Sequence, residues 1–209
     1  MKSNVVILDT GISNSHSIRY AFNEIGFKVS FSDDLSHITS EDLLVIPGVG
    51  SFETAMTLMK KNKLDTKIKN LISNGQKVLG ICLGMQLLFS FSEEGNSNGL
   101  DIFKGKVVHL KNLEVKKYPN IGWNKTNFSN KKMGIEDEYF YYVHNYTVIP
   151  ENSSIIFANT YIEDKLLVTA VRGTDDKKNI LGIQFHPEKS GKNGLNFLKI
   201  ITSKILNSE

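Results

Sequence analysis

The first half of the chain alternates short, unbroken apolar runs with longer stretches whose apolar residues recur at helical spacing. NVVILDT opens the series. It is a continuous apolar run ending in a turn, as expected for a strand buried on both faces. SNSHSIRYAFNEIG follows, with Ile18, Ala21, Phe22 and Ile25 on one helical face and Gly26 as the stop. FKVSFS is the next expected strand, and DLLVIPG is another buried run closed by Pro47-Gly48. SFETAMTLMK predicts a helix with Ser51 as N-cap, and a second helical stretch ends at Asn74-Gly75. QKVLGI then reads as a strand leading directly into Cys82, and MQLLFSF as the helix after it.

Such alternation predicts an α/β fold: an open, mostly parallel sheet with helices on both faces and right-handed crossovers. Beyond about residue 100 the pattern changes. GKVVHL, YFYYVHNYTV, SIIFANT, LLVTAVRG and NILGIQF read as successive strands, which would add antiparallel pairs to the sheet. NGLNFLKIITSKIL reads as a closing helix, whereas 111–118 and 125–138 read as exposed loops or short strands. The chain carries no repeat and no convincing linker, so one domain over residues 1–209 is expected.

Composition narrows the function classes. A net charge of +3, from 25 Lys+Arg against 22 Asp+Glu, is too small to argue for nucleic acid. The scattered lysines read as a solvated surface. The apolar run Val5–Leu8 is too short for a signal-peptide core or a membrane span. A lone cysteine cannot form an internal disulfide and fits a reducing compartment. The expected location is the cytoplasm. No Cys/His/Asp cluster has metal-ligand spacing, and neither metal nor cofactor is expected.

That single cysteine lies in GICLGMQ, between Gly80 and Gly84, where a predicted strand meets a predicted helix. Gly-x-Cys-x-Gly has the form of a nucleophile elbow with Cys in place of Ser. Glycine lets neighbouring backbone pass close to a sharp turn. The free N–H groups at the helix start would stabilise a thiolate, and the Leu83 N–H would face an oxyanion. On these residues alone a buried structural cysteine fits equally well. A Cys nucleophile also needs a base and a group to orient it. Of five histidines, His186 follows a strand-like run in ILGIQFHPEKS, with Glu188 two residues on. In an extended segment those two side chains project to the same side. The glutamate could then hydrogen-bond the imidazole, although a charged turn at a strand end reads the same way. The loop Pro47-Gly48-Val49-Gly50 could turn backbone N–H groups into a pocket or serve as a plain βα turn.

Together, PGVGSF, GICLGMQLL and QFHPEKS resemble the three active-site blocks of the class I glutamine amidotransferases, a flavodoxin-like family. PNIGWN and YFYYVHNY are similar to the branch that supplies glutaminase subunits to imidazole glycerol phosphate synthases. The resemblance implies catalytic roles for Cys82, His186 and Glu188. It implies substrate contacts from Gly48, Val49, Gly50, Leu83, Gln86, Val143, His144 and Asn145. It also implies glutamine as substrate and a heterodimer with a (β/α)₈-barrel cyclase subunit that receives the ammonia. Thr10, Gly11, Asn14, Asn120, Trp123, Asn124, Tyr141 and Lys189 would lie at that interface. Two stretches depart from the family pattern, DTGISN in the first loop and Asn120 where histidine is common. In the family it resembles both fall on the partner-facing side, so an ammonia-supplying relative that serves sugar amidation in surface-polysaccharide synthesis is the alternative.

Overall fold

The computed structural model describes residues 4–11, 15–48, 50–129 and 134–206. Among these, thirteen strands join in one mixed sheet. β1 (Asn4–Leu8), β2 (Lys28–Ser32), β3 (Leu43–Ile46), β4 (Lys77–Ile81) and β13 (Ile180–Ile183) are contiguous in the order β2-β1-β3-β4-β13. All four of their pairings are parallel. Alternate residues of these strands face opposite ways. Val6, Leu8, Leu44, Ile46, Val78 and Ile180 pack with α2 (Phe52–Lys61) and α3 (Leu64–Ser73) on one side. Val5, Ile7, Leu43, Val45, Leu79, Ile81, Leu181 and Ile183 pack with α1 (His16–Glu24) and α5 (Gly191–Leu206) on the other. Both faces are thereby covered, which is why the strands read as unbroken apolar runs.

The N-cap expected at Ser51 is present, its side chain accepting from the Thr54 N–H at 3.3 Å. The second half supplies the antiparallel part. β12 (Lys165–Arg172) pairs with β13 and with β10 (Tyr146–Pro150), and β10 pairs with β7 (Phe103–His109). β5 (Phe89–Ser92) and β6 (Ser97–Asn98) close that edge. A branch leaves β12 through β11 (Ile156–Ile162) to the hairpin of β8 (Asn120–Phe128) and β9 (Glu138–His144). No helix among the described residues is long and apolar enough to cross a membrane.

Two local expectations need correction. The helix after Cys82, α4, runs only Leu83–Leu87, and the second half of MQLLFSF is β5. YFYYVHNYTV is not one strand: it breaks at Asn145 into β9 and β10, which pair with different neighbours. The stretch 125–138, expected as exposed loops or short strands, holds the end of the nine-residue β8 and the first residue of β9.

Candidate active site

The parallel half of the sheet decides where the candidate groups meet. β4 and β13 are neighbours in register, Gly80 opposite Gly182 and Ile81 opposite Ile183. Cys82 and His186 therefore leave the carboxyl ends of adjacent strands, where open α/β sheets bind ligands. The Cys82 N–H donates to the Ile183 carbonyl at 2.7 Å, extending the pairing to the cysteine itself. The chain then turns sharply. Cys82 has φ 53° and ψ −110°, a conformation that costs a non-glycine residue about 1–3 kcal/mol. The glycines on either side let α4 lie against the sheet. A Cβ on Gly84 would sit 1.9 Å from the Ile46 carbonyl oxygen, and one on Gly80 would sit 2.6 Å from the Gly84 carbonyl oxygen. The elbow is thus built by close backbone approach. With five residues, α4 is shorter than the sequence pattern suggests, and the oriented N–H groups of its first turn are its main electrostatic contribution.

His186 is buried, and its Nδ1 lies 2.7 Å from Glu188 Oε1, both side chains 5% exposed. The contact is made by a turn of 3₁₀ helix over Pro187–Lys189, not by an extended segment, with proline at the start fixing the backbone. Ser190 braces the turn: its hydroxyl donates to the His186 carbonyl at 2.6 Å and accepts from the Tyr141 N–H at 2.9 Å. The His186 N–H donates to the Tyr141 carbonyl at 2.8 Å, so β9 also grips the histidine. Below, Phe140 stacks on Phe185 at 4.2 Å and Phe185 meets Phe197 of α5 at 5.1 Å, tying hairpin, strand end and helix together.

Burial pulls the His186 imidazole down, but Cys82 and Glu188 more than offset it and hold the group up, at about 10. The imidazole therefore keeps its proton near neutral pH. Among the described residues, His186 Nε2 and Glu188 Oε2 are buried without a hydrogen-bond partner within reach, so the imidazole edge toward Cys82 could exchange a proton. His144 is the opposite case. Burial drives it down to about 4, and the nearby His186 adds to the effect. Its Nδ1 lies 2.8 Å from the Tyr146 carbonyl and its Nε2 2.9 Å from Asn120 Nδ2, partners that fix a neutral ring with the proton on Nδ1.

Cys82 and His186 line a cavity of about 260 Å³ together with Gly48, Gly50, Leu83, Gln86, Val143, His144 and Asn145. Every expected substrate contact within the described residues is in that set. Val49, between the two glycines, lies outside the described residues, as does Asn14. Glu188 stands behind His186 and off the cavity wall. Of the expected interface residues, Trp123 is 53% exposed, with its ring edge-on to Tyr141 at 6.2 Å, and Lys189 is exposed at the cavity rim. Gly11 is exposed, and Thr10, Asn124 and Tyr141 are half-buried. Asn120 is buried at 6% and reaches inward to His144.

Sequence reasoning passed over three residues. Gln184 donates to Cys82 Sγ at 3.5 Å, and its place two residues before His186 in an apolar run was the available signal. Ser190 carried the same signal from the other side of the turn. Glu94 lines the cavity and accepts from the Phe52 N–H at 2.8 Å, tying the end of the 48–50 loop down. Nothing in its local sequence marks it.

A buried thiol at an elbow, a buried His–Glu pair and an adjoining glycine loop suit attack on an amide carbonyl. The sequence model of the family described as glutamine amidotransferase class-I matches residues 6–201. The chain belongs to the class I glutamine amidotransferases. It is accordingly a glutamine-hydrolysing enzyme. Among curated proteins it is 37% identical to the imidazole glycerol phosphate synthase subunit HisH of Haemophilus influenzae, covering 97% of this chain and 98% of that one. It is 39% identical to the protein of the same name from Chlorobaculum tepidum, over 93% and 97% of the two chains. Among solved structures, PurLQS from Thermotoga maritima matches with a TM-score of 0.73 at 16% identity, over 98% of this chain and 100% of that one. A glutamine amidotransferase from Thermotoga maritima matches with a TM-score of 0.71 at 15% identity, over 100% of both chains. These two similarities concern the fold of this amidotransferase.

Proposed function

We propose that this chain is the glutaminase subunit of an imidazole glycerol phosphate synthase, acting in histidine biosynthesis in the cytoplasm. The reading is carried by one observation: Cys82 and the His186–Glu188 pair meet at a single cavity in a chain whose full-length relatives bear that synthase subunit's name. Cys82 Sγ attacks the side-chain amide carbon of glutamine, with Leu83 N–H and an N–H of the 48–50 loop receiving the negative oxygen. The carbon–nitrogen bond then breaks, and the nitrogen leaves as ammonia with a proton from His186. The γ-glutamyl thioester that remains is hydrolysed by water, His186 taking up the water's proton, and glutamate and the free thiol result. Glu188 holds the imidazole in register and stabilises its cationic form. Glu94, on the cavity wall, carries the charge to receive the α-ammonium of the substrate.

Ammonia passes to a (β/α)₈-barrel cyclase subunit docked on the β8–β9 hairpin. Ile121, Trp123 and Tyr139, each 53% exposed on that hairpin, supply an apolar contact surface. The departure at Asn120 is compatible with this reading, since its amide still serves as a hydrogen-bond donor to His144. Ammonia release from glutamine, measured with and without the cyclase subunit and its nucleotide ligand, tests the proposal. Strong stimulation supports it. Turnover that is indifferent to that subunit moves the chain to another acceptor, with sugar amidation as the next assay.

A further inference from the structure

Hydrogen bonds around Cys82 form one connected set whose polarity is fixed at every step. The Tyr146 carbonyl can only accept, and it receives Gln86 Nε2 at 3.1 Å. That orients the Gln86 amide, whose second N–H goes to Gln184 Oε1 at 3.0 Å. With its oxygen so engaged, Gln184 must turn its NH₂ toward Cys82 Sγ, 3.5 Å away. A flipped Gln184 would set two NH₂ groups against each other and aim an acceptor oxygen at the sulfur. Gln184 is fully buried and Gln86 nearly so, so neither amide can satisfy itself with bulk water. The carbonyl at the origin of this order is itself held: His144 Nδ1 donates to it, Asn120 donates to His144, and Asn124 donates to the Asn120 oxygen at 3.0 Å. The Cys82 thiol also lies 3.9 Å from the Val143 carbonyl.

We propose that Gln184 is a positioning residue for the glutaminase reaction: its amide N–H holds the Cys82 sulfur in place and stabilises negative charge on it, in an orientation dictated through Gln86 by the Tyr146 carbonyl. The inference rests on the proposed use of Cys82 as nucleophile. It assigns the donor to a side chain outside the triad and off the cavity wall. An N–H donated to a charged sulfur is worth enough to change thiolate reactivity by about 10- to 100-fold.

The test compares the full chain with Gln184→Leu and with Gln184→Met, each of which removes the donor without placing a charge beside the sulfur. Cys82 is alkylated with iodoacetamide at pH 7 and at pH 10, with folding followed by circular dichroism. Both variants are expected to react about 10- to 100-fold more slowly than wild type at pH 7 and to approach the wild-type rate at pH 10, where ionisation no longer needs the donor. In glutamine turnover kcat should fall by a similar factor with KM unchanged. A folded variant whose alkylation matches wild type at both pH values overturns the inference, as does one slowed equally at both, which would signal altered packing only. Should the leucine variant not fold, the methionine variant decides. Failure of the underlying reading is separate, because it would appear as wild-type turnover unaffected by Cys82→Ser.

Discussion

A neutral histidine buried in the wall of the Cys82 cavity should make this protein lose stability in mild acid. His144 has a value near 4 in the fold against 6.5 when free, because burial penalises the charged ring and because His186 lies close by. A group whose affinity for protons is lowered by folding favours the native state only while it is neutral in both states. Below 6.5 the unfolded chain takes up the proton and the folded one does not, so stability falls until the pH reaches about 4. The linkage relation puts this loss at about 2 kcal/mol at pH 5 and about 3 kcal/mol at pH 4. Carboxylates elsewhere also respond in this range, so the informative quantity is a difference. His144→Asn keeps an amide donor toward the Tyr146 carbonyl and has nothing to titrate. Urea unfolding of both proteins should be compared at pH 7.5, 6, 5 and 4.5. At pH 7.5 the variant is the less stable, since it leaves the buried Asn120 amide without its acceptor. The gap should close as the pH falls, by about 2 kcal/mol at pH 5. Parallel stability curves over the whole range would refute the assignment of His144 as a neutral, buried ring.

Other consequences follow from the same geometry. Glu188→Gln should lower kcat by roughly 100- to 10,000-fold, as loss of an orienting carboxylate does in triads of this type, and steady-state kinetics check it. His186 is held up by folding, so its contribution to stability is complete below 6.5 and is lost as pH rises through about 10. Melting curves from pH 7 to 10 should therefore fall less steeply in Glu188→Gln than in wild type. Gly84→Ala should destabilise the fold by at least about 3 kcal/mol, because the new methyl meets the Ile46 carbonyl oxygen and neither backbone segment can retreat. Trp123→Ala should leave the melting temperature almost unchanged, since the ring is 53% exposed, yet weaken binding to the cyclase subunit by about 2 kcal/mol or more; a thermal melt and a calorimetric titration check the two halves of that claim.

What could be read from the residues followed burial. Strands covered on both faces read as unbroken apolar runs, so β1, β3, β4 and β13 were legible along with the helices that cover them. MQLLFSF misled because Leu87, Leu88 and Phe89 are buried whether they sit in a helix or a strand, and periodicity cannot separate the two. β8 escaped notice for a different reason. Its buried positions include Asn120 and Thr126, while Ile121 and Trp123 face outward, the reverse of a strand with a solvated outer face. That inversion makes physical sense for a hairpin whose inner side supports a polar network and whose outer side is the proposed docking face. In the site, Cys82, His186 and Glu188 were marked by their neighbours: glycines for the elbow and proline for the turn. Glu94 had no such mark, since it reaches the cavity through a tertiary contact with the start of α2.

Glutamine hydrolysis through Cys82 is tested most directly by ammonia release from the purified chain combined with the cyclase subunit and its nucleotide ligand, run beside Cys82→Ser in the same complex. Turnover is expected in wild type and none in the variant, with equal assembly of both and a γ-glutamyl adduct on Cys82 in acid-quenched wild type by mass spectrometry. Equal ammonia release from the variant, or a fully assembled wild-type complex that releases none, would contradict it.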